Sequence, residues 1–172
     1  MEEIEVPTEH LHEAIHEQAK EHAGEKGSGW NMYVAISTAM VAVLAAIAGL
    51  MAGHHSNEAL IEQIRSSDQW SFYQAKGIKA EIKKMAINDP AATAEVERYK
   101  KEQEGIKEKA AELEKSSEFH LARHVTLARA VTLFQISIAI SAIAILTRKK
   151  ILWYAGLLFS GVALYFFILG LL

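Results

Sequence analysis

Three stretches of this 172-residue chain carry no charged side chain: Trp30–Met51, Ala130–Thr147 and Ile151–Leu172. As helices rising 1.5 Å per residue, these 22, 18 and 22 residues would extend roughly 33, 27 and 33 Å, against a hydrocarbon core of about 30 Å. The pattern predicts three transmembrane helices. The first stretch begins about thirty residues in, behind an acidic leader, and is longer than the apolar core of a signal peptide. It therefore reads as a span rather than a cleaved leader.

Between the first two stretches the pattern changes to a charged helical one. Pro90 is the one proline here; Asp89 is a favourable N-cap and Pro90 suits a first helical position. That break divides the segment into Gly53–Asn88 and Pro90–His124, 36 and 35 residues, each about 50 Å long if helical. Equal arms let the chain leave the bilayer, turn once and return. In the second arm Ala92, Val96, Tyr99, Gln103, Ile106, Ala110, Leu113, Ser117, His120 and His124 recur at spacings of four and three, a coiled-coil period. The repeat continues through Leu127, Val131, Phe134, Ile138, Ser141 and Ile145, so arm and span read as one helix. In the first arm the seam is read through Ile61, Ile64, Asp68, Ser71, Ala75, Ile78, Ile82 and Met85.

The expected fold is all-α: a membrane protein with three transmembrane helices and a long antiparallel, coiled-coil-like helical hairpin outside the bilayer. Its parts are an acidic, His-rich N-terminal tail with a short helix (1–29), a first span (30–52) and the extramembrane hairpin (53–124, turn at 88–90). A second span (125–147), a basic loop (148–150) and a third span (151–172) follow. Thr8 is a plausible cap for the tail helix, and Gly27-Ser28-Gly29 reads as a joint before the membrane. The tail is either a weak self-association helix or simply solvated.

On this seam Trp70, Phe72 and Tyr73 fall off the intrachain contact, roughly 25 Å above the bilayer and too far out for an interfacial aromatic belt. Trp30, Trp153 and Tyr154 suit that belt better. Gly77, one heptad after Trp70, opens the same face to close approach. The four residues form a candidate oligomer interface; the alternative is that the rings pack within one chain. In the first span Ala35, Ala39, Ala42, Ala46 and Gly49 form a small-residue face suited to helix association. Gln135, Ser137 and Ser141 are polar positions in the second span, read as packing hydrogen bonds or as the lining of a polar pathway.

The segments "DQWSFYQAKGIK", "YKKEQEGIKEKAAELE", "LFQISIAISAIAILTRKK" and "LWYAGLLFSGVALYFFILGLL" resemble a bacterial family of small multi-pass membrane proteins classed as a domain of unknown function. The "DQW…YQAK" and "RKK…LWY" pieces carry the resemblance most specifically. It implies a bacterial multi-pass membrane protein and brings no activity, substrate or catalytic residue.

Histidine supplies the main chemical lead. Four of the eight lie in the tail (His10, His12, His16 and His22); His54, His55, His120 and His124 lie at the hairpin base. Folding about Asp89 would set His124 against His54 and His120 against Glu58, a set that could bind zinc or copper. The plainer alternative is a hydrated cap of the hairpin base. No other cofactor is expected. Without cysteine there is no disulfide or thiol chemistry, and no nucleophile–base, metalloprotease or phosphate-loop motif is present, so an enzyme is not expected. A net charge of −3 with scattered basic residues gives no nucleic-acid footprint. No acidic residue lies in the spans, which argues against proton- or ion-coupled transport.

Arg148, Lys149 and Lys150 in the short loop predict, by the positive-inside rule, a cytoplasmic N-terminus and a periplasmic hairpin in the bacterial inner membrane. Lys115, Arg123 and Arg129 pull the other way. The expected partners are the lipid bilayer and further copies of the chain. The expected role is a self-assembling structural or scaffolding protein, with an oligomeric pore and a metal-binding protein as alternatives.

Overall fold

The computed structural model describes residues 29–85 and 90–172. They form three helices, α1 (Gly29–Lys84), α2 (Pro90–Thr147) and α3 (Lys150–Leu171), with no strand among the described residues. Each contains a stretch long and apolar enough to cross a membrane. The expected tail helix and the turn at 88–89 lie outside the described residues. The chain's two prolines are Pro7 and Pro90, so nothing in α1 or after the first residue of α2 breaks the backbone ladder. Helices of 56 and 58 residues are the result. α2 ends at Arg148, a non-glycine residue in the left-handed region (φ 54°), and extended Lys149 then leads into α3.

The chain divides into two compact units, Met1–Ala52 with Thr126–Leu172, and Gly53–Val125. The first is built around fully buried Leu127, Ala130 and Phe134 of α2. Against them pack Val41, Ala45 and Ala48 of α1, and Ala163 and Phe167 of α3. Phe134 and Phe167 meet edge to face at 6.5 Å. Small residues let α3 approach α2. A Cβ on Gly156 would lie 2.9 Å from Ser141 Oγ and 3.2 Å from the Ser137 carbonyl, and one on Gly170 would lie 2.7 Å from Leu127. The Ser137 hydroxyl donates to the Gly156 carbonyl at 2.7 Å. At the start of α1 and α3, Trp30 and Trp153 meet edge to face at 6.5 Å, and Trp153 Nε1 donates to Ser37 Oγ.

In the second unit α1 and α2 run antiparallel. The Ser66 hydroxyl donates to the Ala110 carbonyl at 3.0 Å, and the Ser117 hydroxyl to the Ala59 carbonyl at 2.7 Å. A side-chain hydroxyl reaches a facing backbone only when helices approach closely, and Ala59, Ala80, Ala92 and Ala110, all buried, permit that. The α2 seam read from sequence is the buried or half-buried face throughout.

The first-arm seam is corrected. Ile61, Ile64, Asp68, Ser71, Ala75, Ile78, Ile82 and Met85 are all exposed. The inward face lies two residues earlier, at His55, Ala59, Glu62, Ser66, Gln69, Tyr73, Lys76 and Ala80. Hydrophobicity selected the wrong stripe because this contact depends on small side chains and hydroxyls instead.

The glycines of α3 offer a direct contrast. Gly156→Ala should lower thermal stability by about 1–3 kcal/mol, the usual cost of overpacking, because a backbone carbonyl stands in the way. Gly161→Ala, with nothing within 4 Å, should be neutral or stabilising by up to about 1 kcal/mol through helix propensity. Melting of both variants in detergent checks this.

Candidate functional site

Of the four histidines expected at the base of the arms, the fold joins two. His55 is buried on α1, and its Nδ1 lies 2.8 Å from His120 Nδ1 on α2. At that distance one imidazole donates Nδ1–H and the other, with its proton on Nε2, accepts at Nδ1; either ring can take either role. The rings are tilted by 36° with centroids 5.1 Å apart, and Phe119 stands edge-on to His120. Burial, then the charges of His120, Arg123 and His54, holds the His55 imidazole below its ordinary pKa, with Glu58 opposing. The expected facing of His120 with Glu58, and of His124 with His54, is therefore shifted: His120 meets His55. The antiparallel register is set by the serine hydrogen bonds rather than by counting outward from Asp89.

His54 is exposed, its ring 5.5 Å from that of His55, while Glu58 and His124 are half-buried. Among the described residues no group of three or more histidines, aspartates and glutamates is arranged to hold a metal ion. The tail histidines lie outside the described residues. The base of the arms is thus a paired-imidazole contact.

The aromatic stretch packs within the chain in part. Trp70 and Tyr73 are half-buried, edge to face at 5.7 Å, and Phe72 alone is exposed. Gln103 of α2 donates through Nε2 to the Tyr73 carbonyl at 3.0 Å. A Cβ on Gly77 would lie 2.8 Å from the same Nε2, so Gly77 makes room for this glutamine. Trp70, Tyr73 and Gly77 therefore sit on the α2-facing side, not the outward face on which the first-arm seam placed them.

Lys76 joins the cluster, its ammonium 5.3 Å from the Phe72 ring and 5.1 Å from the Tyr99 ring while it pairs with Glu102. The hydrogen bond from Lys76, with the Lys76 and Arg98 charges, lowers the Glu102 pKa against a smaller opposing effect of burial. Sequence reading passed over Lys76, although its place one turn from Phe72 on an aromatic-rich helix was a usable signal.

The membrane-segment candidates divide in the same way. Ala42 is buried within the first unit, Ala35 and Gly49 are half-buried, and Ala39 and Ala46 are exposed. Ser137 and Ser141 are buried between α2 and α3, whereas Gln135 faces outward. The Ser137 hydroxyl thus serves the contact between α2 and α3.

Residues 30–172 match the family described as a domain of unknown function, DUF4337, and the chain belongs to that family. No match was found among curated proteins, and none among solved structures.

Two outcomes follow from the geometry. Trp70→Ala should weaken arm pairing by about 1–2 kcal/mol, whereas Phe72→Ala should stay within about 0.5 kcal/mol; melts of the two variants compare them. A lowered His55 pKa means the unfolded chain takes up a proton first as pH falls. Stability should therefore be greatest above about pH 6.5, the ordinary histidine value, and decline as pH drops through the lowered native value. Melts from pH 8 to 5 should show this slope, and His55→Gln should flatten it.

Proposed function

We propose that the protein is a membrane-anchored structural component that assembles with copies of itself and has no catalytic role. In this reading the three helices cross a bacterial inner membrane, and the paired arms of α1 and α2 form a hairpin outside it. The N-terminus and the Arg148–Lys150 turn face the cytoplasm.

The observation behind the reading is the outward face of α1. Ile64, Ile78 and Ile82 are 54%, 61% and 60% exposed; Ile61 with Ile64, and Ile78 with Ile82 and Met85, form two aliphatic clusters in one heptad register, joined through Asp68, Ser71 and Ala75. Phe72 borders the stripe. Two exposed aliphatic clusters in one heptad register, on a helix already paired on its opposite side, suit a second coiled-coil contact. Copies inserted in one membrane share one direction, so the seam they would form is parallel. Gln135 adds to this within the membrane, because an outward amide in an apolar helix gains from a hydrogen bond to a neighbouring helix.

The pore alternative is weakened, since Ser137 and Ser141 are used in packing α3 and leave Gln135 as the single outward polar residue of the three. Ile64→Asp combined with Ile78→Asp should reduce the particle to smaller species, at least about a hundredfold weaker in association, with helicity and insertion unchanged. Light scattering and mass measurement of protein in nanodiscs read this. An unchanged particle mass would reject the α1 stripe as the contact.

A further inference from the structure

The exposed stripe of α1 is interrupted by one charge. In the heptad register of Ile61 and Ile64 the next core position is Asp68, and Ser71 and Ala75 follow before aliphatic side chains resume at Ile78. Asp68 is exposed, and Arg65 is the one other charged residue of α1 within four positions of it. The residues turned toward α2, Ala59, Glu62, Ser66, Gln69 and Tyr73, fall at heptad positions on the other side of the helix. α2 therefore lies behind Asp68. In the register where Ser66 reaches Ala110, the α2 charges at this height are Lys107, Glu108 and Lys109, all exposed.

In the assembly proposed above, on which this inference rests, the seam is parallel and in register, so each core residue meets the same residue of the second copy. The isoleucines gain from that arrangement, and the small Ser71 and Ala75 fit it. Asp68 opposes it. Two carboxylates of like charge come to one layer, and closing the seam removes water that solvates them. None of the core positions from Ile61 to Met85 is a lysine or arginine that could offset them. Arg65 flanks the Ile64 layer instead. A charged residue at a core position of a coiled coil costs stability, and its charge state then decides whether the two helices pair.

We infer that Asp68 gates self-association along the α1 stripe. With the carboxylates charged, the two aliphatic clusters are kept from closing into one contact. With a proton taken up at that layer, the copies close from Ile61 to Met85. The paired state binds more protons than the separate chains, so by linkage association tightens as pH falls. This is opposite in sign to the arm contact of His55 with His120, which acid weakens.

The test uses the full chain in phosphatidylcholine vesicles, with donor and acceptor dyes on Gly105→Cys, an open position on α2. Energy transfer across a lipid-dilution series gives the association constant. At about pH 7.5, Asp68→Asn should associate at least about tenfold more tightly than the natural chain, equivalent to about 1.4 kcal/mol. Lowering the pH to about 4.5 should tighten the natural chain and close most of that gap. Asp68→Lys chains should pair with natural chains more tightly than either pairs with itself, because opposite charges then share the layer. If Asp68→Asn associates no more tightly while Ile64→Asp with Ile78→Asp still abolishes association, the gate is overturned and the stripe stands as the contact. Weaker association of Asp68→Asn would mean that Arg65 of the second copy holds Asp68, and that also overturns the gate. If the Ile64→Asp, Ile78→Asp chain associates as before, the stripe is not the contact and both readings fall.

Discussion

Close approach between helix backbones is the constraint on which this structure depends. It is met by a single 3.5-residue repeat. In α1 the inward residues run from Val34 through Thr38, Val41, Ala45, Ala48 and Ala52 to His55, then on to Ala80, without a skipped step. In α2 they run from Ala92 to Ile145 in the same way. A strict seven-residue period keeps one face of a long helix turned toward its partner. Because much of that face is alanine and serine, the chain relies on proximity more than on large side chains. Hydroxyl-to-carbonyl bonds such as Ser66–Ala110, Ser117–Ala59 and Ser137–Gly156 become possible only at that proximity.

The same preference explains what could be read from the amino acids and what could not. The α2 seam was legible along its whole length, because Val96, Ile106 and Leu113 stand out against charged neighbours and the same period continues through Leu127, Phe134 and Ile138. In the arm of α1 the contrast is inverted. The residues that touch α2 are Ala59, Ser66, Tyr73 and Ala80, while isoleucines occupy the opposite side. A search for apolar periodicity finds the isoleucines first, since it scores transfer from water and not the space a backbone contact requires. The register was missed for a related reason. It depends on which carbonyl a serine can reach, and residue type alone does not carry that information.

The candidate site was legible in composition and only partly in geometry. Histidines at both ends of the paired segments mark the base of the arms, and the fold does bring imidazoles together there, as His55 with His120. The paired partners follow from the serine register. Likewise the aromatic stretch was conspicuous because Trp70 and Tyr73 interrupt a charged helix, but its role is shared among Gln103, Lys76 and Tyr99, residues unremarkable in isolation.

The serine contacts also have a mechanical consequence. Ser66 of α1 donates to the Ala110 carbonyl of α2 and Ser117 of α2 to the Ala59 carbonyl of α1, so the two bonds point in opposite directions across one interface. A force sliding one arm lengthwise past the other would strain both bonds together. A force prying the arms apart from one end would break them in succession. The pair therefore resists shear more strongly than peeling, as a strut does and a hinge does not.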